Sequence, residues 1–178
     1  MKIKSKEAEA DALLELAKRL CVAARTAPKA CGIDNMDTVI LTGEEKAELT
    51  DQMRAIGTEL GTKGAFFIRD ADNFDAAHVA VLFGITYKTR GLGDMCKLCG
   101  FDTCADCEAA GATCVFAGID LGIALGSAAS MAAREHADNR VFFTAGQAAR
   151  RMKLLGDHTL IMGIALHASG KNPFFDRG

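Results

Sequence analysis

Apolar residues recur every three to four positions at the start of the chain. Leu13, Leu16, Leu20 and Ala24 fall on one face of a helix over 5–25, with Glu7, Glu9, Glu15, Lys18 and Arg19 mostly elsewhere. Ser5 is the expected N-cap, and Pro28 bars any long continuation. The β-branched stretch 37–42 predicts a short strand. Thr42-Gly43-Glu44-Glu45 then reads as a capping box opening a helix over 43–60. Gly61 and Gly64 bracket a turn. The apolar runs 65–68 and 78–85 read as buried strands, and 86–94 as a glycine-bearing loop with Lys88 and Arg90. Further on, 112–137 reads as one long apolar helix, 139–143 as a strand, 145–155 as a helix capped by Thr144, and 158–167 as a last apolar strand.

Helices and short strands thus alternate without a linker or repeat. The pattern predicts one α/β or α+β domain over 1–178, with a cysteine-rich loop at 94–108 inserted before its central helix. In that helix Gly118, Gly122 and Gly126 recur every fourth residue and Ser130 continues the row. Glycine weakens a helix, so the strip is expected where another backbone comes very close, within the fold or across a dimer. Asp120 is the helix's one charge between 112 and 133 and needs a partner if buried. A membrane span is disfavoured, because the stretch is alanine- and glycine-rich and lacks aromatic belts.

The densest chemistry lies at Cys96, Cys99, Cys104 and Cys107, two C-x-x-C pairs four residues apart. Four thiols in this spacing can supply one tetrahedral zinc or one iron–sulfur cluster. Zinc knuckles are usually farther apart, and the Cys-Pro ending of the bacterial ferredoxin run is absent, so the metal stays open, with iron–sulfur preferred. Gly100 is expected where the loop needs a positive φ or a close backbone approach to sulfur. Disulfides fit poorly in a chain that is not small and secreted. Cys21 and Cys114 are expected as small buried hydrophobes, and Cys31 as inert.

Composition narrows the partners. The formal net charge is −2 and the pI about 6.1, against a nucleic-acid binder. An N-terminus without an apolar core, with an odd cysteine count, predicts a cytoplasmic protein. No Ser-His-Asp set, metalloprotease motif or Walker loop is present, and the four histidines show no ligand spacing.

Two segments carry a family resemblance. Ala23 to Ala30, followed by a strand and the Thr-Gly-Glu-Glu-Lys helix, resembles the early region of nitroreductase-like flavoproteins, as does the Pro-containing tail with Lys and Arg. The Ala-Arg-Thr-Ala-Pro-Lys-Ala turn at 24–30, the C-x-x-C-G-x-x-x-C-x-x-C loop at 96–107 and the Gly-Ile-Asp-Leu-Gly-Ile-Ala-Leu-Gly-Ser helix at 118–127 together resemble a group of ferredoxin-domain-containing proteins of unknown function.

The resemblance implies a nitroreductase-like α+β fold, a central, mainly antiparallel sheet flanked by helices, in a homodimer with FMN at the subunit interface. Nitroreductases usually open with an Arg-Arg-Ser-x-Arg run that holds the FMN phosphate, which this chain lacks. Arg25 and Lys29 of the turn and Lys171 and Arg177 of the tail are the cations expected to replace it. The function expected is a redox protein, as an electron carrier or a flavin-dependent oxidoreductase. It would use a cluster (4Fe-4S before 2Fe-2S) at the four cysteines. The alternative is a non-catalytic binding or interaction protein with a structural zinc in the same loop.

Overall fold

Two central strands decide the architecture. In β2 (Val79–Ile85) every residue is buried; Val79, Val81, Phe83 and Ile85 point to one side, Ala80 and Leu82 to the other. In β4 (Leu160–His167) Ile164 and Leu166 share the first side, Ile161 and Ala165 the second. Strands apolar on both faces need cover on both. The computed structural model describes residues 1–158 and 160–175, and it supplies that cover. The sheet runs in the order β1-β2-β4-β3, with β1 (Met36–Leu41) and β3 (Asp138–Phe142) at its edges. Every pairing is antiparallel.

One face is covered by α1 (Ser5–Thr26) and α5 (Val115–Arg134), whose Leu16, Leu20, Leu121 and Ala124 pack in one core with Val81 and Phe83. The other is covered by α2 (Gly43–Glu59), α3 (Ala65–Asp75) and α6 (Phe143–Arg151), around Leu49, Met53, Phe74 and Ala145. The fold is therefore α+β, an antiparallel sheet between two helical layers. Among the described residues α5 is the helix long and apolar enough to cross a membrane; here its Ala117, Leu121 and Ala124 side lies in the core.

Several expectations are corrected. Lys4, not Ser5, stands at the N-cap of α1; Thr42 stands at the start of α2 without a side-chain cap bond; and Thr144 lies inside α6, whose N-cap is Phe142. The run 65–68 is not a strand but the first turn of α3. Four apolar residues carry no period; the longer row Phe67, Asp70, Ala71 and Phe74 does, and all four are buried on one helical face. The buried Lys46 ammonium donates to the Phe74 and Asp75 carbonyls, closing that helix at its C-terminal end. The helices expected over 112–137 and 145–155 are shorter. Cys114 stands at the N-cap of α5, and the left-handed residues His136 and Lys153 follow the two ends. Nor does the glycine strip of α5 meet a second backbone within the chain. A Cβ added at Gly118, Gly122 or Gly126 would find nothing from another element within 4 Å, and the strip is exposed beside Ile119 and Ile123.

Candidate metal centre and the turn behind it

The loop after β2 is tied down before it reaches the cysteines. Arg90 reaches back to α5 and donates through Nε and Nη2 to Asp120 Oδ2, at 3.1 and 2.7 Å. Its Nη1 donates to the Lys88 carbonyl and Nη2 to Asn35 Oδ1. Asp120 Oδ1 accepts the Ala30 N–H at 2.9 Å. Asn35 in turn donates to the Thr86 carbonyl and hydroxyl. One carboxylate thus joins the Ala-Pro-Lys-Ala turn, the central helix and the cysteine loop, and its burial is matched by charge and hydrogen bonds.

The cysteine segment then turns twice. Lys97 and Gly100 adopt positive φ, 51° and 84°, and the Gly100 N–H donates to the Lys97 carbonyl. The run ends in a short helix, α4 (Cys104–Ala109), opened by a capping box: Thr103 Oγ1 accepts the Asp106 N–H, and the Asp106 carboxylate accepts the Thr103 N–H. Cys96, Cys99 and Cys104, all half-buried, line one hollow with Arg90, Phe101 and Phe116. Cys104 Sγ lies 3.8 Å from the Gly93 carbonyl. Cys107 is fully buried, with Sγ 3.6 Å from the Ala112 carbonyl. Burial first, then its contact with Cys99, pushes the Cys107 thiol up to about 11; Cys114 and Cys104 act in the same direction.

Among the described residues, no three His, Cys, Asp or Glu side chains stand close enough to hold a metal ion as they are placed. The donor set nevertheless suits a soft, thiophilic centre: three half-buried thiols of the run line one largely apolar hollow. A bound metal would supply the positive charge that draws these thiols into their ligating, deprotonated form.

The expected phosphate cations fall in different places. Arg25 donates to Asp34 Oδ2 at 2.8 Å, to Asp37 and to the Met36 carbonyl, and the Asp34 partnership holds its pKa above the ordinary value. Lys29 Nζ spends three donors on the Ala24, Arg25 and Ala27 carbonyls, so it caps the end of α1. Lys171 lies beyond the other end of that helix; His167 to Gly170, which lead to it, line a cavity with Ser5, Lys6 and Glu9. With 22 residues in α1, the two groups stand about 30 Å apart, one helix length. Arg177 lies outside the described residues.

Sequence reasoning missed Arg90 and Cys114. Asp120 is expected to need a partner, but nothing in the sequence singles out Arg90. Nothing pointed to Cys114, expected as a helix-face hydrophobe, which instead lines the hollow. Cys21 packs against the core on the α1–α5 side, and Cys31 is exposed in a left-handed conformation.

The profile of the family described as "Uncharacterized protein containing a ferredoxin domain (DUF2148)" matches residues 110–177. An uncharacterized protein of Archaeoglobus fulgidus is 38% identical over 162 residues, which is 86% of this chain and 85% of its own. Among solved structures, a nitroreductase with bound FMN from Desulfitobacterium hafniense superposes with a TM-score of 0.58 at 16% identity, over 88% of this chain and 78% of its own. A BluB-like flavoprotein from Clostridium difficile gives 0.59 at 16% identity, over 97% and 84%. Nitroreductase CinD from Lactococcus lactis, in complex with nicotinic acid, gives 0.59 at 17% identity, over 90% and 79%. At these identities the likeness to the solved structures is one of fold.

Proposed function

Since the chain belongs to the family of uncharacterized proteins containing a ferredoxin domain and has a nitroreductase-like fold, we propose that it is a redox protein with an iron–sulfur cluster in its cysteine segment. The observation that carries this reading is the gathering of Cys96, Cys99 and Cys104 on one hollow, with Cys107 in contact behind them. When bound, the cluster supplies one-electron transfer. The chain's own part is to hold and shield it. Phe101 and Phe116 limit water at the hollow, and the Arg90–Asp120 pair fixes its wall.

A second part of the reading is a homodimer paired through the exposed strip of Gly118, Gly122, Gly126, Ile119 and Ile123, with a flavin between the copies. Its support is the likeness of fold and an uncovered apolar helix face. A flavin phosphate would reach both Arg25 and Lys171 only across two copies, and would take Arg25 from Asp34.

The test is an absorption spectrum of anaerobically purified protein, with iron, sulfide and zinc measured on the same sample. A broad brown band with iron and acid-labile sulfide is the expected result, and a flavin envelope on top of it would extend the reading to an oxidoreductase. Colourless protein with one zinc per chain would replace it with a structural-metal site.

A further inference from the structure

The run 96–107 holds four cysteines, yet a fifth shares their surroundings. Cys114 lines the same hollow as Cys96, Cys99 and Cys104. Its backbone is fixed: its N–H donates to the Tyr87 carbonyl, and its own carbonyl accepts the Ala117 N–H as the N-cap of α5. Cys107 belongs to α4 and is fully enclosed; its sulfur meets both the Ala112 carbonyl and the Cys99 thiol, but it does not line the hollow. The chain reversal after α4, through Gly111 at a φ of 61°, returns the chain so that residue 114 joins the lining of the hollow.

We propose that Cys114 is a metal ligand of this centre, completing the set with Cys96, Cys99 and Cys104, while Cys107 stands behind them as a packing thiol. The inference rests on the metal-centre reading above and revises one of the four thiols that spacing alone suggests. It has a structural consequence. A ligand at the N-cap of α5 ties the centre to the core helix, six residues from the carboxylate that holds Arg90. A centre confined to the 96–107 loop would reach that helix only indirectly, through the Arg90–Asp120 pair.

The test compares iron and sulfide per chain in anaerobically purified wild-type, C107A and C114A proteins, with far-ultraviolet circular dichroism as the check on folding. C107A is expected to keep its centre. C114A is expected to bind more than about 100-fold more weakly, beyond the range for losing an outer-shell partner. Full loading of C114A overturns the inference, as does loss confined to C107A. Should C114A not fold, the wild-type chain loaded with ¹¹³Cd decides by proton–cadmium correlation. Coupling to the Cys114 β-protons supports the assignment; coupling to those of Cys107 in its place overturns it. Wild-type protein without iron, sulfide or thiolate-bound cadmium would instead remove the metal-centre reading itself.

Discussion

Arg90 and Asp120 form an ion pair 2.7 Å long with both side chains 1% exposed, joining the loop that carries the cysteines to the helix at the centre of the fold. Neither charge has water to fall back on. Removing one partner strands the other, which typically costs about 3–5 kcal/mol. Arg90→Met and Asp120→Leu are each expected to fall in that range in urea unfolding. The double variant should recover much of the loss. Simple addition of the two losses would show that the pair is not coupled.

The exposed and enclosed glycines should behave oppositely. Gly122→Ala meets nothing within 4 Å inside the chain, so the helical preference of alanine should stabilise an isolated monomer by up to about 1 kcal/mol. If two copies pair through this strip, the same methyl should weaken their association. Sedimentation equilibrium of wild type and Gly122→Ala reads this directly, and an unchanged association constant would remove the strip from any interface.

Gly146→Ala provides the contrast. A Cβ there would lie 1.8 Å from the Ile161 carbonyl oxygen, in backbone that cannot step aside cheaply. Overpacking of this kind costs at least about 1–3 kcal/mol. Thermal unfolding should show a lowered midpoint, and a wild-type midpoint would mean that α6 slides freely over β4.

Acid should weaken the fold through His167. Burial, and then the neighbouring His78 ring 4.6 Å away, hold its pKa below the ordinary 6.5. As pH falls below that value the unfolded chain binds protons more readily than the folded one, so stability declines until the depressed folded value is passed. His167→Gln should remove that part of the decline in unfolding midpoints between about pH 7 and 5. An identical slope in wild type and variant would place its source elsewhere.

Metal should order the cysteine segment locally. Hydrogen exchange over 94–108 is expected to slow on reconstitution and to speed again with a chelator, while β2, buried throughout, stays protected in both states. Equal exchange with and without metal would place the binding elsewhere.

Long periodic segments were legible because their partners are built into the pattern: α1 and α5 by their recurring apolar faces, β2 and β4 by length and flanking turns. The run at 65–68 was not, because helix and strand look alike over four apolar residues, and Phe74, which settles the matter, lies beyond it. The thiols at 96–107 announced themselves by spacing. The place of Cys114 follows from a chain reversal, and the partner of Asp120 from a contact 30 residues away; neither has a local signature. Lys29 and Arg25 show a further limit. A cation's type does not reveal whether it serves a ligand, a helix end or a neighbouring carboxylate.

The bond from the Ala30 amide to Asp120 spans 90 residues. At ribosomal rates of about 5–20 residues per second, the turn emerges several seconds before the carboxylate that anchors it. Until α5 has been made and has docked, Arg90 has no counter-ion and the far wall of the hollow does not exist. A centre at these cysteines, as proposed, would therefore be completed only once the core has folded, with its metal delivered to a folded chain rather than to the nascent cysteines.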